Sequence, residues 1–251
     1  MRVDACLGVL WISWGLRGID VWLFMTVKDE ADRYLQSCLE WNSQFVSDIF
    51  VYDDCSDDAT LEIARQFTSH AYSGAREITF AEHEGNFKRW ALSKFKSMCS
   101  PLNGEWVLCL DADEFLVPNG DITDLKLADV ESWSFPIVEV WETDPVERQR
   151  VDGFWAKQQQ ERMFRFHLDR QFERKAMGVG ATPKMPVETH VADGWAVHHY
   201  GYAHPDDRVI KFERYNGRSG HSQRHIDSIL QTPKLEDVSN PLGDRVWRGV
   251  R

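Results

Sequence analysis

E-W-V-L-C-L-D-A-D-E-F-L-V, residues Glu105 to Val117, runs an apolar stretch directly into a cluster of acids, and its reading decides the fold. Trp106, Val107, Leu108, Cys109 and Leu110 are continuously apolar, the pattern of a central parallel strand covered on both faces. Asp111, Asp113 and Glu114 then stand at the carboxyl end of that strand. In open α/β sheets, ligands bind outside this end of the strands. Two carboxylates two residues apart can converge there on one hard cation through oxygen. The competing reading is loop solvation, since Asp is common wherever a strand turns into a loop.

Working back towards the start, Ile19 to Val27 (I-D-V-W-L-F-M-T-V) is β-branched and aromatic and ends in the polar Lys28-Asp29-Glu30, as a first strand should. Glu30 to Phe45 places Leu35, Cys38, Leu39 and Asn42 at helical spacing. A second strand spans Asp48 to Tyr52. An acidic loop, Asp53-Asp54-Cys55-Ser56-Asp57-Asp58, leads from it to a helix carrying Leu61, Ala64 and Phe67, with Ser56 or Asp57 as its expected N-cap. A third strand is expected near Glu77 to Ala81 and a helix from about Asn86 to Met98. Strands alternating with helices predict a Rossmann-like α/β fold, a mostly parallel central sheet flanked by helices and joined by right-handed crossovers.

Beyond Val117 the pattern loosens. Trp133 to Trp141 and Arg162 to His167 read as strands, and Pro205-Asp206-Asp207 opens a helix through Lys211, Arg214 and Tyr215. The expected organisation is an N-terminal extension (1–20), one catalytic domain (21–215) made of halves 21–117 and 118–215, and a C-terminal tail (216–251). Ala5 to Leu16 is apolar but broken by Gly8, Ser13 and Gly15, too short to span a bilayer and a poor match to a signal peptide. Trp11 and Trp14 are expected to pack that extension onto the domain.

Hydrophobic residues make up 43% and charged residues 27% of the chain, which fits a folded globular protein with no transmembrane segment. A formal charge of -11 is the wrong sign for a broad phosphate-binding footprint, so no stable nucleic-acid complex is expected. Five cysteines without a C-x-x-C pair suit reduced thiols and a cytoplasmic location.

Four motifs in order carry a family resemblance: V-K-D-E-A-D-R-Y-L-Q-S-C-L-E-W (Val27–Trp41), V-Y-D-D-C-S-D-D-A-T (Val51–Thr60), L-D-A-D-E-F-L (Leu110–Leu116) and H-Y-G-Y (His199–Tyr202). With these the chain resembles family 2 glycosyltransferases of the GT-A fold, from about Val21 to Tyr215, more specifically in its first half. The resemblance implies transfer of a sugar from a nucleotide diphosphate sugar, UDP favoured over GDP or TDP, to an acceptor hydroxyl with inversion. It also implies a divalent ion, Mn²⁺ or Mg²⁺, that stabilises the leaving diphosphate as a Lewis acid. Asp113 is the implied main metal ligand, Asp111 contacts the metal or the ribose, Glu114 orients its neighbours, and His199 completes the metal shell. Neutral imidazole favours manganese over magnesium in that role. His198, on the opposite side of a strand, ranks second.

The same resemblance sets Asp53 and Asp54 against the nucleotide, with Asp29 or Glu30 against its base or ribose. The bland readings are capping and favourable charge on a helix start. Arg89, in N-F-K-R-W-A-L, falls where the family commonly reads R-N and would bind the diphosphate; this chain has Trp90 in place of Asn. Lys211, Arg214 and Arg218 are spaced to neutralise phosphate or to form a solvated basic face. For the base that deprotonates the acceptor, Glu188 in P-V-E-T-H-V comes first and Glu142 and Asp144 in W-E-T-D-P are alternatives.

A glycan, lipid carrier, protein or modified DNA base would all suit as acceptor, and the oligomeric state has no signature. Trp133, Trp141, Trp155 and Trp195 are expected in the core more than in stacking on sugars. A haloacid dehalogenase-type phosphatase also places D-x-D after a strand, but here the motif is not on the first strand and Phe115 stands where that type has a small hydroxyl or β-branched residue, two positions after Asp113. A nucleotidyltransferase would need a Gly-rich loop between Thr26 and Leu35. The alternative from another class is a non-catalytic nucleotide- or glycan-binding module with a degenerate glycosyltransferase fold.

Overall fold

The computed structural model describes residues 20–74, 79–185, 189–216 and 222–246. The expected extension, and with it Trp11 and Trp14, lies outside these residues. Strand β1 (Val21–Val27) lies parallel to β2 (Asp48–Asp53) on one side and to β4 (Trp106–Cys109) on the other, with Leu23 level with both Ile49 and Leu108. β3 (Ala71–Ser73) extends the parallel set beyond β2. Helices α1 (Leu35–Asn42), α2 (Thr60–Phe67) and α3 (Glu84–Cys99) are the crossovers. All four residues of β4 are buried, as a strand with both faces covered requires.

The second half adds antiparallel pairs to the same sheet. After β5 (Glu114–Val117) and α4 (Ile122–Leu127) come β6 (Ser132–Glu142), β7 (Arg148–Arg150), β8 (Gln158–Arg165), β9 (His190–Val191) and β10 (Ala196–His199). β8 sits between β4 and β6, antiparallel to both. β10 lies antiparallel to β5 and parallel to β6. α5 (Pro205–Tyr215) and α6 (Gln223–Ser228) follow, and β11 (Leu235–Asp237) closes the sheet edge against β7. The segment beyond 216, expected as a tail, therefore supplies a strand, and it buries Ile229, Val238 and Leu242. No helix among the described residues is long and apolar enough to cross a membrane. Cys38, Cys55, Cys99 and Cys109 are free thiols.

Three local expectations are corrected. A strand is found at Ala71–Ser73; of the one expected near Glu77 to Ala81, residues 77 and 78 lie outside the described residues and Thr79 to Ala81 form no strand. The Thr68 hydroxyl donates to the Ile49 carbonyl at 2.7 Å and Val51 N–H to His70 O at 3.0 Å, so the chain leaving α2 is already laid beside β2. Helix α1 starts at Leu35 instead of Glu30, because the N–H groups of Glu30 and Ala31 are drawn to Thr60 Oγ1 (2.7 Å) and Asp58 Oδ2 (3.1 Å). Neither Ser56 nor Asp57 caps α2: its N-cap is Ala59, while Ser56 bonds to Asp53 and Asp57 N–H to Asp29 Oδ1.

The end of α1 fixes β5 in place. Asn42 donates from Nδ2 to the Glu114 carbonyl and accepts from Leu116 N–H, both at 3.0 Å, and Trp41 Nε1 donates to the Leu116 carbonyl at 2.7 Å. These bonds occupy one edge of β5 while β10 takes the other, so no buried backbone group of this short strand is left open. Asp113, the residue before β5, is thereby held from both sides.

Candidate active site

The register between β5 and β10 decides what meets Asp113. Glu114 lies opposite His199, and Tyr200 N–H donates to the Asp113 carbonyl at 2.9 Å. His199 Nε2 consequently lies 3.4 Å from Asp113 Oδ1. The other imidazole nitrogen, Nδ1, is 2.7 Å from Glu139 Oε2 on β6. Asp113 Oδ2 faces Lys211 Nζ of α5 at 3.5 Å and Arg33 Nη2 at 3.6 Å. Lys211 is also 3.3 Å from His199 Nε2 and 4.4 Å from the centre of the Tyr202 ring. Arg33 in turn reaches Glu30 Oε2 at 2.8 Å and the fully buried Asp207 at 3.3 Å.

Electrostatics follow from this packing. Burial alone would raise the Asp113 carboxyl, but Lys211, His199 and Arg33 outweigh it and hold the group well below the usual carboxylate range. Burial disfavours a charged His199, yet Glu139 and Asp113 keep it well above the ordinary histidine value despite Lys211. Glu30 is pushed up to about 7 by burial, with Arg33 opposing. His198, facing away with no partner for its Nδ1 among the described residues, is lowered to about 4 by burial.

Asp111 is exposed, and its carboxylate accepts no hydrogen bond among the described residues. Its backbone is fixed instead: Asp111 N–H donates to Glu114 Oε2 at 3.1 Å, and Glu114 is gripped bidentately by Arg162 at 2.8 and 2.6 Å. Glu114 and Arg162 are both buried, so the turn that carries the acids rests on a neutralised internal pair.

The loop after β2 contributes a second group of acids. Asp53 is spent on the loop itself, accepting from Ser56 N–H and its hydroxyl and from Ser73. Asp54 is 2% exposed; its Oδ2 accepts from Phe80 N–H at 3.1 Å, while Oδ1 is buried without a partner among the described residues. Its carboxyl is raised by burial against the opposing Phe80 N–H and Lys28. A buried acceptor left open at the carboxyl end of a strand is suited to a donor on a ligand. Lys28 Nζ ties this loop to the first by bonding to the carbonyls of Asp54 and Cys55, and Asp29 N–H bonds to Ser56 Oγ.

Other expected residues lie apart from Asp113. Arg89, on α3, donates to the Phe172 carbonyl and to Gln171, and with Trp90, Ser93 and Lys96 it lines an open groove of about 390 Å³. Its guanidinium is thus committed to the chain's own loop. Glu142 pairs with Arg148 at 3.3 Å near the exposed end of the β6–β7 hairpin, and Asp144 is exposed in the same turn. Glu188 and Arg218 lie outside the described residues. Trp141, Trp155 and Trp195 are core residues and Trp133 is partly buried against the core.

Four residues of the cluster were not singled out in the sequence: Arg33, Glu139, Gly201 and Asp207. Glu139 had a usable signal, a lone carboxylate inside the apolar run P-I-V-E-V-W. Gly201 has a steric role. A Cβ there would fall 2.5 Å from both Asp113 Oδ2 and His199 Nε2 and would collide with the Lys211 ammonium. Glycine therefore leaves room for the Lys211 ammonium beside these two groups. Asp113 Oδ1 and His199 Nε2, an anionic oxygen and an imidazole nitrogen 3.4 Å apart, are a donor pair that fits one divalent ion. Among the described residues no three His, Cys, Asp or Glu side chains gather into a closed cage.

A model of the family described as glycosyl transferase family 2 matches residues 24–182. No curated protein sequence matches the chain. Among solved structures it is similar to glucosyl-3-phosphoglycerate synthase from Mycobacterium tuberculosis in complex with Mn²⁺ and uridine-diphosphate-glucose, at 17% identity over 49% of this chain and 44% of that one, TM-score 0.33. It is similar to mannosyl-3-phosphoglycerate synthase from Rubrobacter xylanophilus at 19% identity over 51% and 42% of the two chains, TM-score 0.35. S. aureus TarS in complex with UDP matches at 18% identity over 84% of this chain and 69% of that one, TM-score 0.43. The matches to the two phosphoglycerate synthases take in less than half of their length.

Proposed function

From the premise that this chain belongs to glycosyl transferase family 2 and has the GT-A fold, we propose that it transfers a sugar from a nucleotide diphosphate sugar to an acceptor hydroxyl, with a divalent ion. The observation that carries the proposal is the approach of His199 Nε2, at 3.4 Å, to Oδ1 of Asp113 in the turn that follows β4. Asp113 and His199 would hold the ion, with the exposed Asp111 beside them, and the ion would supply Lewis-acid stabilisation to the departing diphosphate.

The chain's own groups do the rest. Asp54 Oδ1 offers its open acceptor to the base or ribose, with Asp29 and Lys28 shaping the loop around it. Glu139 holds the His199 imidazole in orientation through Nδ1, leaving Nε2 for the ion. Lys211 and Arg33 place two positive charges on the Asp113 side of the site, where diphosphate oxygens gain electrostatic stabilisation as charge develops. Glu188 is assigned the acceptor proton in an inverting displacement, with Glu142 and Asp144 as alternates. UDP is the favoured nucleotide.

Calorimetric titration of UDP, GDP and TDP, with Mn²⁺ and then with chelator, tests this reading when repeated on Asp113→Ala. Metal-dependent binding of one nucleotide, lost in the variant, is the expected result. Absence of binding to all three would leave a non-catalytic module as the better description.

A further inference from the structure

The space between Asp113 and His199, where these residues would hold a divalent ion, already carries a cation of the protein. Lys211 Nζ lies 3.5 Å from Asp113 Oδ2 and 3.3 Å from His199 Nε2, and a Cβ built on Gly201 would overlap it while falling 2.5 Å from each of those two donors. Lys211 is 8% exposed, so its ammonium is held there rather than passing through from solvent. Arg33 approaches the same Asp113 oxygen at 3.6 Å but is anchored by Glu30 and by Asp207. Lys211 has no such anchor: among the described residues its partners are Asp113, His199 and the face of Tyr202.

We infer that Lys211 is the resident cation of the metal pocket, and that a divalent ion enters only as this ammonium withdraws onto the diphosphate of the incoming nucleotide. The inference rests on the metal-dependent reading above. A divalent ion added with Lys211 in place would crowd a second cation onto the same carboxylate and force the ion against an ammonium, a strong repulsion even at a protein-like dielectric. Withdrawal into an apolar wall would instead strand a buried charge. Phosphate oxygens supply the one new partner that makes withdrawal favourable. Ion and nucleotide therefore favour each other's binding, and by linkage the coupling is the same in both directions.

The test is Mn²⁺ binding followed by electron paramagnetic resonance, with and without UDP, on the full chain and on Lys211→Gln. The unaltered chain should bind Mn²⁺ weakly alone and at least about tenfold more tightly with UDP, whereas Lys211→Gln should bind Mn²⁺ alone about tenfold more tightly than the unaltered chain and gain less from UDP. Lys211→Gln/Asp113→Asn should lose the tight binding, which places the gain at this pocket. Should Lys211→Gln unfold, Lys211→Met keeps the length and the apolar stem and repeats the titration. Equal Mn²⁺ affinity in the unaltered chain and the Lys211 variants would overturn the inference and leave metal dependence standing. No Mn²⁺ binding by the unaltered chain even with UDP would overturn both.

Discussion

The imidazole of His199 joins two carboxylates, with Nδ1 2.7 Å from Glu139 Oε2 and Nε2 3.4 Å from Asp113 Oδ1. A ring held in this way has its tautomer and direction set by Glu139, which frees Nε2 as a donor to an ion. Glu139→Gln should therefore lower Mn²⁺ affinity about 10–100-fold in the presence of UDP while the chain stays folded. Manganese titration with circular dichroism as a control checks it; an unchanged affinity would remove His199 from the ligand set.

Asp113→Asn should have two consequences. Among the described residues Lys211 loses its only carboxylate within 4 Å and Arg33 one of three, so the variant should be destabilised by about 3 kcal/mol. Metal-dependent nucleotide binding should also disappear. Urea denaturation measures the first effect and calorimetry the second, and loss of stability with binding intact would count against Asp113 as a ligand.

Arg162→Met leaves the Glu114 carboxylate buried and uncompensated, and should cost about 3–5 kcal/mol by urea denaturation. Burial already raises the Glu114 carboxyl, with Arg162 the main opposing influence. The combined Glu114→Gln/Arg162→Met should recover much of the stability, since removing a buried pair together costs far less than removing one partner. Nucleotide affinity should stay low in the double variant, which lacks the Glu114 carboxylate that fixes the Asp111 backbone.

Glu30 gives the chain a distinctive pH dependence. Its carboxyl is raised from 4.5 to about 7 in the folded state, so between those values the folded chain keeps a proton that the unfolded chain releases. The stability due to protonated Glu30 is present below about 4.5 and is lost as pH rises through about 7. Glu30→Gln should flatten that fall by roughly 2–3 kcal/mol between pH 4.5 and 8. Parallel slopes in the two proteins, from denaturation at a series of pH values, would show that Glu30 ionises normally.

Much of this site was legible in one dimension. Trp106 to Leu110 announced a strand buried on both faces, and Asp111 to Glu114 the acids at its end, because both signals are contiguous. The family resemblance and the α/β class are borne out. What stayed hidden depends on strand pairing. Glu139 reaches His199 only because β10 lies between β5 and β6, and Asp207 reaches Arg33 across 174 positions of sequence. The strand at Ala71–Ser73 was not anticipated because A-Y-S is too short to show a period.

The pairing of β5 with β10 also has a consequence for synthesis. Asp113 leaves the ribosome long before His199, and Lys211 follows it by 98 positions. Until β10 docks, the acid loop has neither its histidine nor its internal cation, and α1 alone guards one edge of β5. A nascent chain ending near residue 180 should therefore expose an unpaired strand edge beside a bare carboxylate, inviting chaperone capture or edge-to-edge association. Competence to bind the donor would arrive abruptly, with the emergence of the last third of the polypeptide.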